Sequence, residues 1–436
     1  MTPATGGGSR AATHRAQPAS HPSADSIADS TLTPNSAGIG LRLSAAVARL
    51  PWWAQVLFIY GAARVFSALI FMGAALKQGV SPWFPAAPDY WNFIYIWDAR
   101  WYGEILTNGY PSALPVSDAG VVQENAWAFY PVFPLLGRGL VLLTGMPTAA
   151  ALTVVAMLAG IAASLVVYLL FRHLASHRDA LWGTTFVAMF PVSAILQVPY
   201  AESLNLLLLS GALLLVLRHN FTWAIPVVLV MCLSRPVGVP FAAALGFLFL
   251  IRLYQAWRIP HRSPLNTRQL VELGALVVAG CVGAVLWPAM AWLATGDITA
   301  YTKTETVWRG EELVPFKPWF DTGIDLFGPV LGLVAPFVFA GLFTWLMFVP
   351  PVVRLGSEIR LWCACYMGYL LIFLHPQTST FRLLLPLFPL ALGAVWLSRS
   401  RAYRGTVLLM FGLLQLVWIV WLWAWAQLPG GGDYPP

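Results

Sequence analysis

The stretch "WAFYPVFPLLGRGLVLLTG", residues 127–145, is apolar enough to cross a bilayer and broken enough not to. Pro131 and Pro134 fall in its first half, and Arg138 stands near its centre. Charge decides between the two readings. If the stretch does not cross, one side of the membrane collects Arg172, Arg178, Arg218, Arg252, Arg258, Arg262, Arg268, Arg354, Arg360, Arg399, Arg401 and Arg404. The basic run "RLYQAWRIPHRSPLNTR" (252–268) falls whole on that side. The other side collects Asp98, Glu104, Asp118, Glu124, Glu202, Asp297, Glu305, Glu311, Glu312, Asp321 and Asp325. If the stretch crosses, every later basic loop moves outside, against the rule that short basic loops stay in the cytoplasm. It therefore reads as a re-entrant or surface-lying segment, bent at its prolines and interrupted by Arg138.

Composition sets the class around it. The chain is 58% hydrophobic and 10% charged, against about 25% charged residues in soluble domains. It reads as an all-α polytopic membrane protein. About eleven spans are expected, at 53–76, 149–171, 180–197, 203–217, 221–234, 237–255, 270–294, 326–350, 359–375, 382–398 and 405–427. The net charge of +7 lies in short loops between apolar runs, where it orients the chain and does not point to nucleic acid. A second reading of those loops is attraction to anionic lipid headgroups. Of the 25 basic residues only Lys77, Lys303 and Lys317 are lysines. That skew, with much Ala and Gly, suggests a GC-rich bacterial genome and hence a bacterial plasma membrane. Cys232, Cys281, Cys363 and Cys365 all fall in apolar runs, with neither a disulfide framework nor a metal-ligand spacing.

Residues 1–45 are rich in Ser, Thr, Ala, Pro and Gly without apolar period, and read as a disordered cytoplasmic tail. The membrane body is expected over 46–428, and 429–436 as an outer tail. Two long outer loops result, 77–148 and 295–325, joined on that face by "QVPYAES" (197–203), "SRP" (234–236) and "HPQTSTFR" (375–382). All five can converge on one outward cavity, and outer loops of this length are usually functional.

The acids and bases of those loops each have two readings. In "WDARWYGEILTNGY" (97–110), Asp98 is placed to cap a helix over Ala99–Thr107 that stops at Asn108-Gly109. Ile94, Trp97, Trp101 and Ile105 then form an apolar stripe suited to the membrane surface, and Arg100 can pair with Glu104. A carboxylate there is also what a general base requires. Glu202, beside Tyr200, is either a first-turn acid or an acceptor-binding carboxylate. Arg235 lies between apolar runs, where a bare guanidinium is costly; it needs a partner or a ligand phosphate. His375 and Arg382 frame a phosphate site or a helix cap.

There is no phosphate-binding glycine loop, no HExxH, no GxSxG and no Asp-x-Asp. An enzyme whose acids face outward has no ready access to cytoplasmic nucleotides. A lipid-phosphate sugar, which crosses the membrane, is the natural donor.

The stretches "WDARWYGEILTNGY", "AFYPVFPLLGR", "FPVSAILQVPYAESLNLLLLSG", "LSRPVG", "TGDITAYTKTETVWRG" and "FRLLLPLFPL" together resemble bacterial members of the PIG-V family, related to GPI mannosyltransferase 2, in the GT-C class of membrane glycosyltransferases. The resemblance spans about 97–390. It implies a GT-C-type helical bundle with interfacial helices in the first outer loop. It also implies inverting mannose transfer from polyprenyl-phosphate-mannose to an extracytoplasmic glycolipid, glycan or protein, without a metal or other cofactor. By that resemblance Asp98 is the general base, and Arg235, Arg382 and His375 are candidates for the donor phosphate. Glu202, Tyr200, Trp97, Trp101, Tyr102, Tyr130, Trp308 and Arg309 would bind sugar or acceptor. Three rivals stand beside it: a transferase of glucose or arabinofuranose, a lipid-sugar flippase or transporter, and a non-catalytic scaffold.

Overall fold

The computed structural model describes residues 49–258, 265–308, 314–427 and 436. The expected tail 1–45, Arg262, Arg309, Glu311, Glu312 and most of 429–436 lie outside them. The chain divides into Met1–Leu50 and a body, Pro51–Pro436. In the body the helices are α1 (Trp52–Ala75), α2 (Tyr90–Ile94), α3 (Asp98–Asn108), α4 (Val132–Thr144), α5 (Thr148–Leu174), α6 (His177–Met189), α7 (Glu202–Leu217), α8 (Phe221–Cys232), α9 (Gly238–Arg258), α10 (Thr267–Thr295), α11 (Ala300–Val307), α12 (Lys317–Leu346), α13 (Pro350–Val353), α14 (Gly356–Phe373), α15 (Thr380–Leu383), α16 (Leu390–Leu397) and α17 (Arg401–Val417). Among the described residues there is no named strand, only one isolated bridge between Val116 and Val122. The all-α expectation holds.

Among the described residues six helices are long and apolar enough to cross a membrane, α1, α5, α9, α10, α12, and α17 with its π-helical extension to Trp423, although α12 reaches that length only if its reversal at Gly328 is ignored. A seventh follows if Thr380–Leu387 and Leu390–Leu397, bent by 76°, form one span. The expected eleven are not reached, because hydropathy does not register where a helix ends. The apolar run at 180–197 breaks at Phe190-Pro191, since the residue before proline disfavours the helical region. The helix α7 has 16 residues and α8 has 12, about 24 and 18 Å against a hydrocarbon core of about 30 Å.

The helix within the stretch 127–145, α4, has 13 residues, about 20 Å, short of a hydrocarbon core of about 30 Å. It runs unbroken through Pro134 and Arg138, correcting the expected bend and interruption. Pro134 lies in the first turn, where a missing N–H costs nothing. Arg138 simply faces outward.

The 30 residues of α12 are two antiparallel arms. Gly328 has φ +78°, and the chain reverses there. Gly323 and Gly332 then touch: a Cβ on Gly323 would lie 2.5 Å from the carbonyl oxygen of Gly332. In a straight helix those residues stand about 13 Å apart. Trp319 stacks on Phe339 across the pair, ring centres 5.4 Å apart. The first arm thus belongs to the second outer loop, and the second arm begins where the span at 326–350 was expected.

A buried arginine midway along α1 has no counterpart in the reading of the sequence. Arg64 of α1 is 4% exposed. It donates to the carbonyl of Ala188 at 2.7 Å and to the carbonyl of Ser193. These are carbonyls freed where α6 ends before the 3-10 turn Ser193–Gln197. A charge inside a membrane protein must be met by polar partners. Here it fixes the turn that leads into Tyr200 and Glu202.

Candidate active site

Four charged side chains from distant parts of the chain meet in the interior. Asp98 pairs with Nη1 of Arg382. The same nitrogen lies 3.4 Å from Oε1 of Glu202, which also accepts from Nη1 of Arg235 at 2.7 Å. Glu202 is 4% exposed and Asp98 9%. Tyr200 completes the group: its hydroxyl accepts from the backbone N–H of Asp98 at 3.1 Å, and the Arg382 guanidinium lies 5.4 Å from its ring centre. Of the residues singled out by sequence, Asp98, Glu202, Arg235, Arg382 and Tyr200 come together.

Local structure explains how each is aimed. Asp98 is not the expected cap. Trp97 precedes the helix, and Asp98 is its first residue, with no capping bond from Trp97. Trp97 takes φ +56° and ψ −129°, a costly region for a bulky side chain, about 1–3 kcal/mol. It is held there by a hydrogen bond from its indole to Trp423 O at 2.9 Å and by Trp83 edge-on to its ring. That turn swings the Asp98 carboxylate toward Arg382. The expected Arg100–Glu104 pair is not made either. Arg100 donates to Tyr95 O at 3.0 Å and covers the Tyr95 ring, while Glu104 accepts from Asn108. The helix α3 is amphipathic: Asp98, Ala99, Tyr102, Gly103, Ile105 and Leu106 are buried, while Glu104, Thr107 and Asn108 are exposed on the other face. A Cβ on Gly103 would stand 1.8 Å from the Tyr95 hydroxyl, so only glycine fits this approach.

Arg235 is held by its loop. Asn205 donates to Ser234 Oγ at 3.0 Å, and Val132 N–H donates to Leu233 O at 3.2 Å. Burial works against the charge of Arg235, but the neighbouring Glu202 more than offsets it and the guanidinium titrates above its ordinary value. Burial also pushes the phenols of Tyr102 and Tyr200 far above their ordinary value. Both stay protonated at neutral pH, which leaves the carboxylates as the groups able to accept a proton.

Beside the cluster is a cleft lined by Glu202, Asn205, Arg235, Tyr366, Tyr369 and Arg382, among others. It is narrow, with only about 60 Å³ wide enough for a water molecule. Asp98 does not line the cleft but pairs with Arg382, which does. Two buried atoms of the cluster have no hydrogen-bond partner: Oε2 of Glu202 and Nε of Arg382. Such atoms are rare in folded proteins and call for an explanation.

The remaining expected residues lie elsewhere. Trp101 stacks on Phe129 and meets Trp308 edge-on, 5.5 Å between ring centres. Tyr130 packs on Trp287, and its hydroxyl lies 3.0 Å from that of Tyr301. Tyr102 links the first of these groups to the site, edge-on to Phe129 and to Tyr200. His375 is half-buried with Nδ1 unpartnered, but it does not line the cleft. Arg309 lies outside the described residues. Asn205, Tyr366 and Tyr369 were missed. Helical spacing could have found them: Asn205 is three residues after Glu202, and the tyrosines are three apart on α14. Among the described residues no three His, Cys, Asp or Glu side chains gather closely enough to hold a metal ion.

Fold and site define an all-α polytopic membrane protein with a buried acid–base cluster at one end of its helices. No protein-family model matches the chain, and no curated protein does. Solved structures do match loosely. The oligosaccharyltransferase of Archaeoglobus fulgidus in its apo form is 14% identical over 84% of this chain and 55% of that one, with a TM-score of 0.40. The archaeal oligosaccharyltransferase AglB of the same organism, in complex with an inhibitory peptide and a dolichol-phosphate, is 12% identical over the same shares, with a TM-score of 0.39. The chain spans about half the length of these proteins. A likeness this loose says nothing of activity.

Proposed function

We propose that the protein is an inverting membrane glycosyltransferase of GT-C type. It moves mannose from polyprenyl-phosphate-mannose to a hydroxyl of an extracytoplasmic glycolipid, glycan or protein. One observation carries this reading: Arg382 both pairs with the buried Asp98 and lines the cleft, with Arg235 and Glu202 beside it. A carboxylate and two cations therefore share one largely buried site. Fixed charges act most strongly in such a place.

In this mechanism the donor phosphate enters the cleft and takes Arg382 and Arg235 as partners. Arg382 then releases Asp98. The freed carboxylate accepts the proton of the acceptor hydroxyl as that oxygen bonds to the anomeric carbon. The bond from that carbon to the phosphate oxygen breaks, and polyprenyl phosphate leaves with one more negative charge. The two arginines meet that charge, so a divalent ion is not called for. The acceptor oxygen attacks the face of the anomeric carbon opposite the leaving phosphate, so a β-linked donor yields an α-mannoside. The unpartnered Oε2 of Glu202 is free to orient a sugar hydroxyl. Because the cleft holds no hexose in its present width, the loop carrying Arg382 must move when the donor enters.

The test is transfer by the purified protein in liposomes, supplied with polyprenyl-phosphate-linked mannose, glucose or arabinofuranose and a membrane lipid extract. The expected result is mannose transfer that EDTA does not change. Transfer of another sugar alone would overturn the donor; transfer of none, with lipid-linked sugar crossing the bilayer, would favour a flippase.

A further inference from the structure

The face of α14 away from the cleft carries a second site. Arg360 lies about 15 Å along the helix from Leu370, which lines the cleft. It opens on a groove between α14, the second arm of α12 and α9, with Ile251, Ala340, Phe343, Met347, Ala364 and Met367 among its apolar walls. About 480 Å³ of the groove is wide enough for water-sized atoms, eight times the figure for the cleft. Arg360 and Ser357 stand at its polar end. The Nε of Arg360 donates to Met347 O at 2.9 Å, and its guanidinium lies 5.3 Å from the Phe348 ring centre. Its two Nη groups bond to no described residue. The nearby acid, Glu358, is already neutralised by Arg252. Arg354, exposed, adds a second positive charge at the corner before α14.

We propose that this groove binds an anionic glycerophospholipid, with the phosphate on Arg360 and an acyl chain along the apolar walls. An arginine bordering an apolar, laterally open groove needs an anionic partner, and a phosphodiester fits the free edge of a guanidinium bidentately. Basic pockets between transmembrane helices are suited to such headgroups. The floor has room for a chain: a Cβ on Gly368 would meet nothing within 4 Å.

Native mass spectrometry of the full-length protein in detergent, with phosphatidylglycerol or phosphatidylcholine added, tests this. Phosphatidylglycerol should bind in preference, because the choline cation of phosphatidylcholine offsets its phosphate beside Arg360 and Arg354, and Arg360→Gln should weaken phosphatidylglycerol about tenfold, as expected for one charge-assisted contact, and phosphatidylcholine less. Gly368→Phe, which keeps Arg360 and fills the groove, should weaken both lipids. Glycerol phosphate, lacking chains, should not compete. Equal binding of the two lipids by the wild type would overturn the proposal. So would phosphatidylglycerol binding that survives either substitution, or full competition by glycerol phosphate.

Discussion

Near the start of α14 the partly buried carboxylate of Glu358 has both oxygens bonded. Oε1 accepts from Arg252, and Oε2 accepts from Ser357 at 2.9 Å. Arg252 in turn reaches Gln255 and Ser357. Past the other end of α14, Glu202 has one oxygen between two arginines and the other without a partner, and Arg382 has an unpartnered Nε. Both clusters are largely buried and both pair acid with arginine. The first joins two neighbouring helices and is complete in itself. The second gathers four distant segments and leaves polar atoms over. Buried ion pairs add little net stability, since desolvation offsets most of their attraction. An incomplete one is best explained by a ligand that completes it.

Substitution can break this contrast. Arg382→Leu leaves Asp98 and Glu202 short of a cation, and should cost about 3–5 kcal/mol of stability. It should also lower transfer about 10²–10³-fold, as for loss of a group that meets developing charge. Adding Asp98→Asn should recover much of the stability, read by thermal melting, and none of the transfer. At the other cluster, Arg252→Leu alone should destabilise comparably. The double substitution Arg252→Leu with Glu358→Leu should be nearly neutral in melting temperature and leave transfer intact. If that double variant loses transfer while still folded, the two clusters are not separate in role.

The smallest effect belongs to the exposed pair. Asp297 accepts from Lys303 at 2.7 Å and from Thr299, and these bonds lower its pKa from 3.8 to about 2. A carboxyl depressed in the folded state contributes stability above pH 3.8 that is lost as pH falls through about 2. Water screens this pair. Asp297→Asn should flatten melting temperature over that acid range, lower it only slightly at neutral pH and leave transfer unchanged.

The charged members of the site were legible in the sequence because an acid or arginine among apolar runs has no inexpensive bland explanation. Asp98, Glu202, Arg235 and Arg382 stood out for that reason, and charge asymmetry placed them on one face. Arg64 is just as costly, yet it was read as part of a span, since sequence does not show which carbonyls a helix break will free. The reversal at Gly328 was hidden in the same way: glycine followed by proline inside an apolar run reads as a kink, and only the contact of Gly323 with Gly332 makes it a hairpin. The role of Asp98 was half legible. Its helix was expected at the right place, but the cap reading assumed ordinary backbone at Trp97, and packing against Trp83 and Trp423 imposes another.

The most direct test of the central claim is the turnover of Asp98→Asn beside wild type, in liposomes with polyprenyl-phosphate-mannose and a binding assay for the donor. Asparagine is nearly isosteric and still reaches Arg382 but takes up no proton. Turnover should fall about 10²–10⁴-fold, with donor binding and melting temperature retained. Turnover within a few-fold of wild type would contradict that claim, making Asp98 a structural partner of Arg382 and moving the base to Glu202.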